Sequence, residues 1–156
     1  MKSNRELLCV FKNMERVRMM VTDLVSAGSA LYPCLQHRVK GAHALSIPMA
    51  YSSGNMIRRG HYDRKTGMLL ISPGLPADVE AGVIAHELAH ATCKGGEHDK
   101  EWRTAYRILL RVATEQLGWP IKLECSACRL YGICSVTQCP LCDWKRCDPT
   151  RHTCQH

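Results

Sequence analysis

Apolar residues recur along the N-terminal stretch at Leu7, Phe11, Met14, Val17, Val21, Leu24 and Val25, three and four apart. That period predicts an amphipathic helix over about residues 4–27, closed near Gly28, whose stripe needs another element to cover it. The pattern then shortens. HALSIPMAYSS has the composition of a strand, and its internal Pro48, lacking an amide to donate, confines it to a sheet edge. MIRRGHYDRKTGMLLISP predicts a hairpin in which DRKTG forms the turn and Gly67 is free to take positive φ. Beyond Pro73-Gly74, Pro76 suits the first turn of a helix, and Asp78 and Glu80 suit its electropositive end. Val79, Val83, His86 and His90 follow one stripe of that helix until Gly95-Gly96 ends it. A last helix from about Lys100 carries Trp102, Ala105, Tyr106, Leu109, Ala113 and Leu117 on one face and stops at Gly118-Trp119-Pro120. There is no internal repeat and no low-complexity segment.

With 156 residues, 46% of them apolar, the chain has room for one compact domain and a small appendage. No apolar run approaches the roughly 20 residues that cross a bilayer. MKSNRELLCVFKNMERVRMM is interrupted by charge too often to be a secretory signal, so the expectation is an intracellular protein without a membrane partner. Seven of the ten cysteines fall between Cys125 and Cys154, and without an export signal metal binding explains them better than disulfides. Cys9, Cys34 and Cys93 are scattered and suit small buried hydrophobes.

The net charge of +7 is uneven: residues 1–66 hold 11 Lys and Arg against 4 acids, while residues 67–120 hold 5 against 7. A basic surface favours a polyanion, although a solvated basic face explains the same charge. Arg58, Arg59, Arg64 and Lys65 on the hairpin are its candidate phosphate contacts.

The chemistry concentrates in HELAHATCKGGEHDKEW. Residues four apart on a helix share a face, so the imidazoles of His86 and His90 can bind one ion together. Glu87, beside the first of them, can then act as general base on a metal-bound water, which zinc acidifies while polarising a carbonyl. A catalytic zinc needs three protein ligands and an open position. His98, past the glycine turn and at the mouth of the next helix, is the preferred third ligand, with Glu97, Asp99 and Glu101 near enough to compete. HExxH also arises by chance in helices whose histidines are merely packed; the glycine turn and third histidine favour the site.

The stretch ISPGLPADVEAGVIAHELAHATCKGGEHDKEWR resembles the SprT-like, or Spartan-type, metalloprotease domain. His86, Glu87 and His90 match its HExxH positions, His98 its third zinc ligand and Trp102 the aromatic residue that follows; Glu97-His98-Asp99 departs from the Gly-His-Gly of its best-known members. The resemblance implies an intracellular zinc protease acting on DNA-bound proteins, including covalent DNA-protein crosslinks.

In the tail, Cys125-x-x-Cys128 and Cys139-x-x-Cys142 stand ten residues apart, the spacing of two knuckles that complete a four-thiolate zinc ribbon, a structural and closed site. Cys134, Cys147, Cys154, His152 and His156 could hold a second zinc, or be free thiols on a loose end. Arg129, Lys145, Arg146 and Arg151 could meet phosphates, and Tyr131 and Trp144 could stack on bases or cover the ribbon.

These observations lead to an α+β, zincin-like metallopeptidase domain over residues 1–120, with helices packed on a small antiparallel sheet, and a Cys-rich zinc ribbon over 121–156. The expected function is a zinc peptidase that cuts proteins bound or crosslinked to DNA, with Zn2+ as cofactor and protein and DNA as partners. Two alternatives stand beside it: a non-catalytic, zinc-stabilised nucleic-acid adaptor, which has no need of Glu87, and a regulatory peptidase of the ImmA/IrrE type cleaving one repressor.

Overall fold

The computed structural model describes residues 4–45, 49–50, 57–94 and 98–121. Helix α1 (Asn4–Gly28) and a single turn α2 (Leu35–Arg38) precede strand β1 (Gly41–Ala44), the short pair β2 (Met49–Ala50) and β3 (Ile57–Arg58), and the hairpin β4 (Gly60–Asp63) and β5 (Met68–Ile71). Helices α3 (Ala77–Thr92) and α4 (Lys100–Arg111) follow, and α4 runs into a π-helical turn at Val112–Gln116. The class is α+β, as the pattern of elements predicts.

Helix α1 ends at Gly28 and buries Met14, Val17, Val21 and Leu24, the stripe expected from its three- and four-residue spacing. The hairpin also forms where DRKTG predicts it. Gly67 takes φ +72°, and a side chain there would stand 2.5 Å from the Arg38 carbonyl, so the turn requires glycine on both counts. Asp63 closes the turn by accepting from the Lys65 amide at 2.9 Å and the Thr66 hydroxyl at 2.8 Å. Those two donors, Thr66 first, hold its carboxyl below the ordinary carboxylate range.

The sheet departs from expectation. It is mixed, in the order β1-β5-β4: β4 pairs antiparallel with β5, but β1 lies parallel to β5 with Gly41 opposite Met68 and Ala44 opposite Ile71. A hairpin announces its antiparallel pairing through its turn residues, whereas a parallel neighbour brought from elsewhere leaves no local signal. Of the HALSIPMAYSS stretch, His43 and Ala44 fall in β1, which borders this sheet, and Met49 and Ala50 form β2 in a separate pair with β3; Pro48 lies outside the described residues. Central β5 supplies Leu69 and Ile71, both almost fully buried.

Helix α3 sits at the middle of the molecule, against β4 and β5 on one side and α4 on another, with α1 reaching it as well. Its burial is broader than a single stripe: every residue from Val79 to Ala89 is buried, together with Ala91. A helix apolar on all sides belongs inside a protein. Its termination also differs, with Thr92 as last residue and Cys93 as cap, before Gly95-Gly96. Cys93 is buried, as expected of a small hydrophobe, and burial pushes its thiol pKa up; Cys34 is half-buried.

Burial all round forces Glu80 inside, at 2% exposure, and Arg16 of α1 meets it with both guanidinium nitrogens, at 2.7 and 3.1 Å. This pair fastens α1 to the start of α3. Removing one partner of a fully buried pair costs roughly 3–5 kcal/mol, because a charge is left without compensation. The Arg16 side chain is 47% exposed, so water screens the pair and offsets part of that loss. Arg16→Leu is expected to lower stability by about 1–3 kcal/mol in denaturant unfolding. Adding Glu80→Leu should recover most of the loss, and a double variant no more stable than Arg16→Leu would show that the pair does not act as a unit.

Candidate metal centre and its surroundings

His86 and His90 lie one turn apart on α3, and His98 stands two residues before α4. Asp99 caps α4 by accepting the Trp102 amide at 2.8 Å, which fixes the chain direction at His98. Asp99 was a competing ligand by sequence; its carboxylate serves the cap instead. Glu97, the other close competitor, lies outside the described residues, as does the Gly95-Gly96 turn.

The three imidazoles converge. Nε2 of His90 lies 3.3 Å from Nε2 of His86 and 3.2 Å from Nε2 of His98, and His98 and His86 are 3.2 Å apart at the same atoms. A tetrahedral zinc with bonds of about 2.0–2.1 Å holds its nitrogen ligands roughly 3.3–3.4 Å from one another. The triangle therefore has the edge lengths of three corners of a zinc tetrahedron. Glu87 Oε1 is 3.9 Å from His86 Nε2, longer than such an edge.

Trp102 forms a wall to this cluster. Fully buried, it lies 4.3 Å from the His98 ring, 4.8 Å from His86 and 5.3 Å from His90, and stacks on Tyr106 at 5.0 Å. Burial first, then the neighbouring His90 and His98, depresses the His86 pKa well below its usual value, so its ring is neutral and its lone pair available. Exposure rises from buried His86 through half-buried His90 to exposed His98. The histidines border an open cleft of about 390 Å³ that β4 and its turn line from Gly60 to Lys65.

Two arginines hold this geometry in place, one assigned otherwise from the sequence and one not singled out by it. Arg64, expected as a phosphate contact, donates to the carbonyls of Cys93 at 2.7 Å and His90 at 3.0 Å. Arg38, not singled out by sequence, donates to Ala91 at 2.9 Å and Thr92 at 3.2 Å. Four carbonyls at the C-terminal end of α3, which have no partners within the helix, thus meet two cations where the helix dipole is negative. Arginines between 26 and 54 residues away from the carbonyls they meet carry no cap signature, which hides this role from sequence. Lys65 is exposed at the cleft, Arg59 is half-buried, and Arg58 lies on β3. Arg129, Lys145, Arg146 and the ribbon cysteines Cys125, Cys128, Cys139 and Cys142 lie outside the described residues, with Cys134, Cys147, Cys154, His152 and His156.

Residues 45–155 match the family model for the Phycodnaviridae minor capsid protein P4. The chain belongs to that family. It is similar to "Minor capsid protein P4" of Paramecium bursaria Chlorella virus 1, with 36% identity over 100 residues, covering 58% of this chain and 54% of that protein. The chain thus spans about half the length of the curated relative it matches. No solved structure matches.

Membership in this family corrects the SprT-like resemblance and the readings built on it: zinc peptidase, substrates bound or crosslinked to DNA, DNA as partner, the nucleic-acid adaptor and the ImmA/IrrE-type peptidase. The resemblance rested on the HExxH residues, the glycine turn with His98 beyond it and Trp102, and this chain carries them as a member of a capsid-protein family. Within the match lie the hairpin, α3, α4 and the cysteine tail, while α1 and β1 precede it.

Two variants test the packing around the histidines. Arg64→Ala leaves the Cys93 and His90 carbonyls without their cation and is expected to cost about 1–2 kcal/mol in thermal or denaturant unfolding. An unchanged midpoint would mean that water replaces the guanidinium without loss. At Gly60, a Cβ would stand 2.5 Å from Val83 Cγ1 and 3.0 Å from Glu87 Oε1. Gly60→Ala is therefore expected to lower stability by about 1–3 kcal/mol through overpacking between β4 and α3; a midpoint equal to wild type would show that the strand can lift away from the helix.

Proposed function

We propose that this chain is a structural component of a virus capsid, a minor shell protein whose partners are other capsid proteins. The observation that carries this reading is the family match over residues 45–155, which takes in most of the described fold and the cysteine tail together. The similarity to a minor capsid protein of a chlorella virus supports the same role. No described helix is long and apolar enough to cross a membrane.

The histidine-bearing helix packs against a small sheet, and the paired Cys-x-x-Cys knuckles have the spacing of a zinc ribbon. In this reading both are scaffolds that hold a compact shape. Fold and chemistry separate readily, since a site is grafted on a fold rather than implied by it.

The test is mass spectrometry of purified particles of the virus that carries the chain, after salt and nuclease washing and chemical crosslinking. The chain is expected to persist in washed particles, with crosslinks from its lysines to other capsid proteins. Its absence from washed particles, or its removal by nuclease, would overturn the shell assignment.

A further inference from the structure

We propose that His86, His90 and His98 together bind one divalent ion of the zinc class through their Nε2 atoms, and that the ion ties α3 to the segment entering α4. This goes beyond the capsid reading and stands without it, because it rests on the geometry of three side chains alone.

The first argument is a count of protons. In a neutral imidazole each ring nitrogen is either a donor or an acceptor, never both. Three Nε2 atoms that all lie 3.2–3.3 Å apart form a triangle, and two roles cannot alternate around a triangle. At least one contact must set two lone pairs or two N–H groups against each other. A cation at the centre removes the conflict, since all three lone pairs then point at it. The same distances reproduce the edge of a zinc tetrahedron, roughly 3.3 Å.

The second argument is preorganisation. His86 and His90 are fixed by a helix whose C-terminal carbonyls are held by Arg38 and Arg64, and His98 by the Asp99 cap and the neighbouring Trp102 ring. None of the three ligands needs a new backbone conformation to meet an ion. Three imidazoles suit zinc, cobalt or nickel better than magnesium or calcium, which prefer oxygen. With three protein ligands the ion keeps one position, and the open cleft bordered by the same histidines leaves room for it.

The experiment uses the full chain, stripped with a chelator, reloaded with zinc and dialysed, with bound metal counted by plasma mass spectrometry. The tail can hold zinc of its own, so the comparison is between wild type and a His90→Ala/His98→Ala pair. The pair is expected to carry about one equivalent less and to lose part of the rise in unfolding temperature that zinc gives wild type. Cobalt should report the same loss as missing ligand-field absorption. Equal zinc content and equal cobalt spectra in wild type and the folded pair would overturn the proposal. If the pair does not fold, exposed His98→Cys replaces it: a thiolate-to-cobalt charge-transfer band above the wild-type level is expected, and its absence refutes the site.

Discussion

Everything in this molecule adapts to the burial of α3. A helix enclosed by a sheet, α1 and α4 must carry apolar residues on nearly all its faces, and the run from Val79 to Ala89 does so except at Glu80, His86 and Glu87. Each polar group taken inside needs a partner, since burying one alone costs more than most single contacts return. The surrounding elements supply them: Arg16 from α1 for Glu80, Arg38 and Arg64 for the terminal carbonyls, and for His86 the other two imidazoles and the Trp102 ring. The cations come from three separate places in the chain, so the polar contacts fix where α1, α2 and the hairpin sit around the central helix.

That dependence explains how much was legible beforehand. Local periodicity gave α1, the hairpin and α4 with nearly their observed ends, because a period of three to four or a glycine turn is a property of neighbouring residues. Convergence of His98 on His86 and His90 was legible too, since a glycine pair followed by a helix start lets the chain double back. The parallel β1–β5 pairing, the Arg16–Glu80 bridge and the capping by Arg38 and Arg64 span between 26 and 64 residues of sequence. Nothing within a short window distinguishes an arginine that will cap a distant helix from one that faces solvent. For that reason a charged hairpin suggested phosphate when one of its arginines, Arg64, was in fact aimed at backbone carbonyls.

The functional misreading has a different cause. HExxH with a third histidine specifies where three nitrogens go, and the structure places them there. Hydrolysis demands more: a substrate held in register and a carboxylate aimed at water on the ion. Spacing describes neither. The family match overturns the step from geometry to reaction while leaving the geometry intact. A motif is thus evidence for an arrangement of ligands before it is evidence for chemistry.

A fold of this kind gains from such an arrangement for reasons unrelated to catalysis. The three-stranded sheet has only four residues in each strand, and a sheet that small cannot hold a domain by itself. Most of the core residues lie on helices, and the junction between α3 and α4 contains Gly95 and Gly96. An ion shared by residues on both sides of that junction would close the loop and convert binding free energy into folding free energy. The gain is greatest where the ligands already face each other, because little ordering entropy remains to oppose it. The mutual proximity of the three imidazoles, with Trp102 packed against all of them, is such a state.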